Sequence, residues 1–205
     1  MGGCLRVSKN LYKSGAVKTD SASPPQRAKL SHELRGIHTH IASGRVLSGR
    51  GAACTCEPIT RRRVYFEIRL RSQGAFAVGV TIRPEKPQRT LDREICDNKG
   101  SFGLKSDMLA AVPEPGDTIG VFIDSTSGST KLSFSLNGLP LSDLYDAPRP
   151  MSGISIPDEP LFPVVYVNRG AMVEAMFQSQ QWKYPPSEKS GFDEHISVVQ
   201  ELTMT

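Results

Sequence analysis

The residue types best suited to chemistry in this chain are two closely spaced pairs, His38 with His40 and Cys54 with Cys56. Residues two apart on a strand share a face, and two imidazoles with two thiolates make the donor set of a tetrahedral zinc site. Structural zinc sites usually take their thiolates from CxxC-type turns, so these pairs are expected to be ordinary strand residues. His32-Glu33 opens like the zinc-protease motif HExxH, but Gly36 stands where the second His is needed. The sequence contains no G-x-S-x-G nucleophile elbow, no phosphate-cradling P-loop and no G-x-G-x-x-G. Its acidic residues are scattered along turns. An enzyme, metal-dependent or otherwise, is therefore the minority alternative, and no metal or cofactor is expected.

Charge and the N-terminus suggest a different kind of chemistry. Residues 1–63 carry 12 Lys/Arg against 3 Asp/Glu, a net of +9, while residues 64–205 carry 13 against 18, a net of −5. Within residues 1–30 the net is +5, from six Lys/Arg against Asp20. Such asymmetry points to an anionic surface. Gly2 becomes a myristoylation candidate once Met1 is removed, although Arg6 stands where Ser or Thr is preferred. Cys4 is close enough to carry a second acyl chain, and one chain alone holds a protein only marginally. The expectation is a flexible basic arm over residues 1–30 that is either a lipid anchor holding the protein at the cytoplasmic face of a membrane or an ordinary disordered tail with an incidental cysteine. Arg61-Arg62-Arg63 has no interleaved aromatics and is expected to be a solvated strand entry, so no nucleic-acid partner is expected. No run approaches the roughly 18 apolar residues of a membrane span. With no secretory h-region and no disulfide-framework spacing among the four cysteines, the expected setting is the reducing cytoplasm.

The elements that must position these residues are strands. Val64, Phe66, Ile68 and Leu70 alternate with Tyr65, Glu67 and Arg69, which puts the apolar set on one face. Phe76–Ile82, Ile119–Ile123 and Leu132–Leu136 repeat the period of two. Turn residues divide the runs at Ser43-Gly44, Gly74, Asn137-Gly138 and Asn168-Arg169-Gly170. Asn-Gly is the strongest of these signals, because a type I′ turn needs positive φ at both central positions. Many short antiparallel strands, each with one apolar face, predict an all-β sandwich of two packed sheets. Gly79 and Gly120, inside strands, mark bends or close backbone approach. Phe102, Phe134 and Trp182 are expected in the core or capping it.

These motifs, in this order, resemble the SPRY family. Val64-Tyr65-Phe66-Glu67-Ile68 resembles its "YFE" strand, Val78-Gly79-Val80 its "GVGV" strand, and Ser101-Phe102-Gly103-Leu104 its "SWGL" element with Phe in place of Trp. Residues 116–124 match "GDxIGVxxD", residues 133–138 match "sFslNG", and residues 161–165 match "lfPvv". The resemblance spans about residues 34–177. It implies a bent antiparallel two-sheet β-sandwich over residues 31–193, with a C-terminal extension and a tail at 194–205.

What the resemblance implies about function is partner binding. SPRY relatives bind another protein or peptide through loops at one end of the sandwich. The long polar segment Arg83–Cys96 and the turn Asn168-Arg169-Gly170 are the candidate loops, with Arg83, Arg89, Asn168, Arg169 and Gly170 as contact residues. Arg169 leads because Arg is favoured in binding hot spots. A substrate receptor of a ubiquitin ligase is a further alternative. The chain has no RING-type Cys/His array and no recognisable adaptor box in its tail, so that role would need a bridging partner.

Overall fold

The computed structural model describes residues 28–95, 100–127, 130–141 and 159–194. In chain order the strands are β1 (Leu30–Arg35), β2 (Thr39–Ala42), β3 (Val46–Gly49), β4 (Gly51–Thr55), β5 (Arg63–Ser72), β6 (Ala75–Ile82), β7 (Ser101–Lys105), β8 (Thr118–Asp124), β9 (Lys131–Leu136), β10 (Leu139–Pro140), β11 (Leu161–Asn168), β12 (Met172–Met176) and β13 (Asp193–Glu194). One α-helical turn, α1 (Pro87–Thr90), and three 3-10 turns, Ser106–Met108, Ser179–Gln181 and Glu188–Ser190, interrupt them among the described residues. A five-stranded sheet runs β1-β4-β11-β6-β7. An eight-stranded sheet runs β10-β9-β8-β5-β12-β3-β2, with β13 paired to the start of β5. All pairings are antiparallel except β13 with β5.

The period-two patterns account for the core. Val64, Phe66, Ile68 and Leu70 of β5 pack with Ile119, Val121 and Ile123 of β8 against Phe76, Val78 and Val80 of β6 and Val165 and Val167 of β11. Phe102 and Phe134 pack partly buried against this cluster. Gly79 and Gly120 are close-approach sites. A Cβ on Gly79 would strike the Phe102–Gly103 backbone of β7, and one on Gly120 would lie 2.6 Å from the Tyr65 hydroxyl.

Both outer faces are covered over their central strands, by different means. On the five-stranded sheet, the segment after β6 lays Leu91 and Ile95 onto Ala52, Cys54, Ala77, Phe162, Val164 and Tyr166 to form a second apolar cluster. The stretch Arg83–Cys96 is therefore polar in composition but anchored by two buried aliphatics, with Cys96 itself outside the described residues. On the eight-stranded sheet, residues 178–194 form a strap fastened to Glu67. The fully buried Glu67 carboxylate accepts the Lys183 and Tyr184 amides at 2.7 and 2.8 Å and the Tyr65 hydroxyl at 2.9 Å. Burial, reinforced by the neighbouring Glu67 carboxylate, holds the Tyr65 phenol well above its ordinary pKa, so it remains protonated. Trp182 meets the Tyr65 ring edge-on at 4.9 Å and donates its indole N–H to the Met176 carbonyl at 3.0 Å. Phe192 closes the strap against Phe122, with ring centroids 5.3 Å apart.

The chain changes sheet at Gln73-Gly74, from β5 to β6, and again at Arg169-Gly170, from β11 to β12. The two crossovers sit side by side. The Ser72 hydroxyl donates to the Gly170 carbonyl at 2.7 Å, and Gly74 leaves no room for a Cβ against Arg169 and Ala171. They define one end of the sandwich.

Candidate partner-binding cleft

A cleft of 470 Å³ opens at this crossover end. One wall is the Arg169 turn. Arg169 and Gly170 have φ values of 51° and 85°, and the Ala171 amide donates to the Asn168 carbonyl at 3.0 Å, which makes a type I′ turn. The Asn168 side chain braces it twice. Its Oδ1 accepts the Arg169 amide at 2.8 Å, and its Nδ2 donates to the Tyr166 hydroxyl at 3.0 Å. Tyr166 is in turn packed in the second apolar cluster. The turn backbone is thus rigid, while the Arg169 side chain is exposed.

The facing wall is the segment that follows β7. The Ser106 hydroxyl accepts the Phe76 amide at 3.1 Å and ties the start of this segment to β6. Asp107 is exposed, and Val112, at the cleft, is 77% exposed. Glu94 reaches the cleft from the segment after α1 and is ion-paired to Lys105 at 3.5 Å. Of the large exposed apolar side chains, Val112 lines the cleft, while Met108 and Met172 lie outside its described lining. A single exposed apolar side chain is ordinary, but one beside a rigid Arg-bearing turn gives a cleft the mixed character of a docking surface.

The residues singled out in the sequence do not all meet here. Asn168 and Arg169 line the cleft and Gly170 completes their turn. Arg83 lies at the opposite end. β6 and β11 pair from Ala75↔Asn168 to Ile82↔Leu161, and Arg83 follows Ile82. Arg89 is exposed on α1 and is absent from the cleft lining. The three arginines therefore form no common surface. Gly2 and Cys4 lie outside the described residues. His40 is exposed on β2 in the eight-stranded sheet, whereas Cys54 is buried on β4 in the five-stranded sheet, so their strands do not align. Burial pushes the Cys54 thiol up to about 12, which disfavours the thiolate a metal would need. No group of three or more metal-ligating side chains forms among the described residues. Arg61 and Arg62 are exposed at the entry to β5, and Arg63 pairs with Asp124 at 3.1 Å.

Gln73, Glu94, Asp107 and Val112 had no signal in the sequence. They lie on three separate stretches, the β5–β6 turn, the segment after α1 and the segment after β7, and converge only in the folded chain.

Comparison with known proteins agrees with this architecture. The SPRY domain family model matches residues 63–180. Human SPRY domain-containing protein 7 is 28% identical over 167 residues, covering 76% of this chain and 79% of its own length. The chicken protein of the same name is 26% identical over the same length. Among solved structures, the PSpry domain of TRIM65 superposes with a TM-score of 0.52 at 13% identity, covering 75% of this chain and 91% of that one, a likeness of fold. The chain belongs to the SPRY domain family, a family of protein-interaction modules rather than of enzymes. It is similar to SPRY domain-containing protein 7 over most of its length.

Proposed function

We propose that this protein docks an extended segment of a partner protein in the cleft at the crossover end. The observation that carries this reading is a rigid turn presenting Arg169 in one cleft with an exposed apolar side chain, Val112, on a sandwich whose two outer faces are covered over their central strands. Loops on a rigid scaffold are where binding concentrates, because the frame carries the ordering cost. The test compares wild type, Val112→Asp and Arg83→Ala in quantitative affinity purification from native cells. Partner recovery is expected to fall with Val112→Asp and to hold with Arg83→Ala, which changes the far end. Equal recovery by wild type and Val112→Asp overturns the cleft as the docking site.

The second part of the proposal is retention at the cytoplasmic face of a membrane through residues 1–30. Their net charge of +5 and the candidate acyl sites Gly2 and Cys4 support it. Gly2→Ala is expected to abolish myristate labelling and release the protein into the soluble fraction. An unmodified N-terminus by intact mass, with wild type already soluble, refutes this part.

A further inference from the structure

We infer that the cleft recognises a peptide carrying a single carboxylate beside an apolar residue, with Arg169 as the specificity-determining cation. This rests on the cleft being the docking site. Arg169 sits in the left-handed region at φ 51°, where Gly and Asn are comfortable and a long side chain is not. A turn needing only to reverse the chain would be served better by either residue, so the Arg side chain is held there against a local preference. Its guanidinium forms no ion pair among the described residues, whereas Glu94 of the lining is paired with Lys105, which lies outside that lining. The Asn168 side chain fixes the Arg169 amide, which leaves the guanidinium free to offer a bidentate fork to a carboxylate.

The facing wall narrows the choice. Val112 offers apolar contact, so the carboxylate-bearing residue is flanked by an aliphatic or aromatic one. Exposed Asp107 on that wall repels a run of acids, and specificity often rests on such a repulsive element. One carboxylate at Arg169 satisfies both walls. A polyacidic segment or a densely anionic surface does not.

The experiment pans a phage-displayed library of random peptides against the full chain and measures affinities of a synthesised winner. Winners are expected to share one Asp or Glu next to an apolar residue. Arg169→Glu is expected to weaken the acidic winner at least about tenfold and to favour its Glu→Lys counterpart, while Val112→Asp weakens both. Asp107→Asn is expected to admit winners with two adjacent acids. If Val112→Asp abolishes binding but Arg169→Glu leaves affinity and charge preference unchanged, the carboxylate inference fails and the cleft reading stands. If neither variant matters, or no peptide is enriched, both fail. Arg169-dependent binding of phosphatidylserine vesicles, with no acidic peptide enriched, overturns the inference in favour of a lipid surface.

Discussion

Asn137-Gly138 and Arg169-Gly170 are turns of one geometry put to opposite uses. Both have positive φ at both central residues, 50° and 83° in the first, 51° and 85° in the second. At the first, the Asn137 side chain is engaged at both its oxygen and its nitrogen. Asn137 accepts the Thr118 amide at 3.0 Å and donates to Asp117 at 2.8 Å, and Gly138 lies under the Tyr184 ring of the strap. At the second, the bracing comes from Asn168, the Arg169 side chain projects outward, and a Cβ on Gly170 would meet nothing nearer than the Gln73 carbonyl at 3.7 Å. A turn whose side chains are all spent internally holds the fold. A turn braced from outside has its central side chain free to bind.

The largest effect is expected where the first region is fastened. Glu67→Ala leaves the Lys183 and Tyr184 amides and the Tyr65 hydroxyl without their acceptor beneath the strap. It is expected to cost about 3 kcal/mol, read as a fall in the urea midpoint. A midpoint within error of wild type would mean the strap is not fastened through Glu67.

The next pair contrasts the two turns directly. Gly138→Val combines backbone strain with a clash against Tyr184 and is expected to cost about 2 kcal/mol. Gly170→Val meets only the strain and is expected to cost about 1 kcal/mol. Equal losses in denaturant titrations would break the contrast. The smallest effect is the sharpest. Arg169→Asn installs the residue that the left-handed position favours, so stability is expected to hold or to rise by about 0.5 kcal/mol while carboxylate-peptide binding is lost. A clear loss of stability would make Arg169 structural instead.

Much of the fold was legible because burial writes itself along a strand. Alternation in β5, β6, β8 and β9 marks their core faces, and Asn137-Gly138 announces its turn. Other assignments were not recoverable in the same way. Glu67 sits at a polar position of the β5 alternation, which suggests solvent, yet it is fully buried because a strap about 115 residues later covers that face. Leu91 and Ile95 lie in a polar stretch with no period, too sparse to register, yet they seal the other outer face. Arg83, Arg89 and Arg169 are equally plausible contacts in one dimension. The pairing of β6 with β11 separates the first from the last by the length of a strand.

What the sequence determined by itself is local: which segments are strands, which face of each is apolar, and where φ must turn positive. These follow from side-chain period and backbone sterics, which act between near neighbours. What only the tertiary structure decided is which sheet each strand joins. Gln73-Gly74 and Arg169-Gly170 look like hairpin turns, but each carries the chain from one sheet to the other, and that shared crossover creates the cleft. An apolar strand face must be buried, but its period does not say against which partner. That choice is made by the packing of the two sheets as a whole.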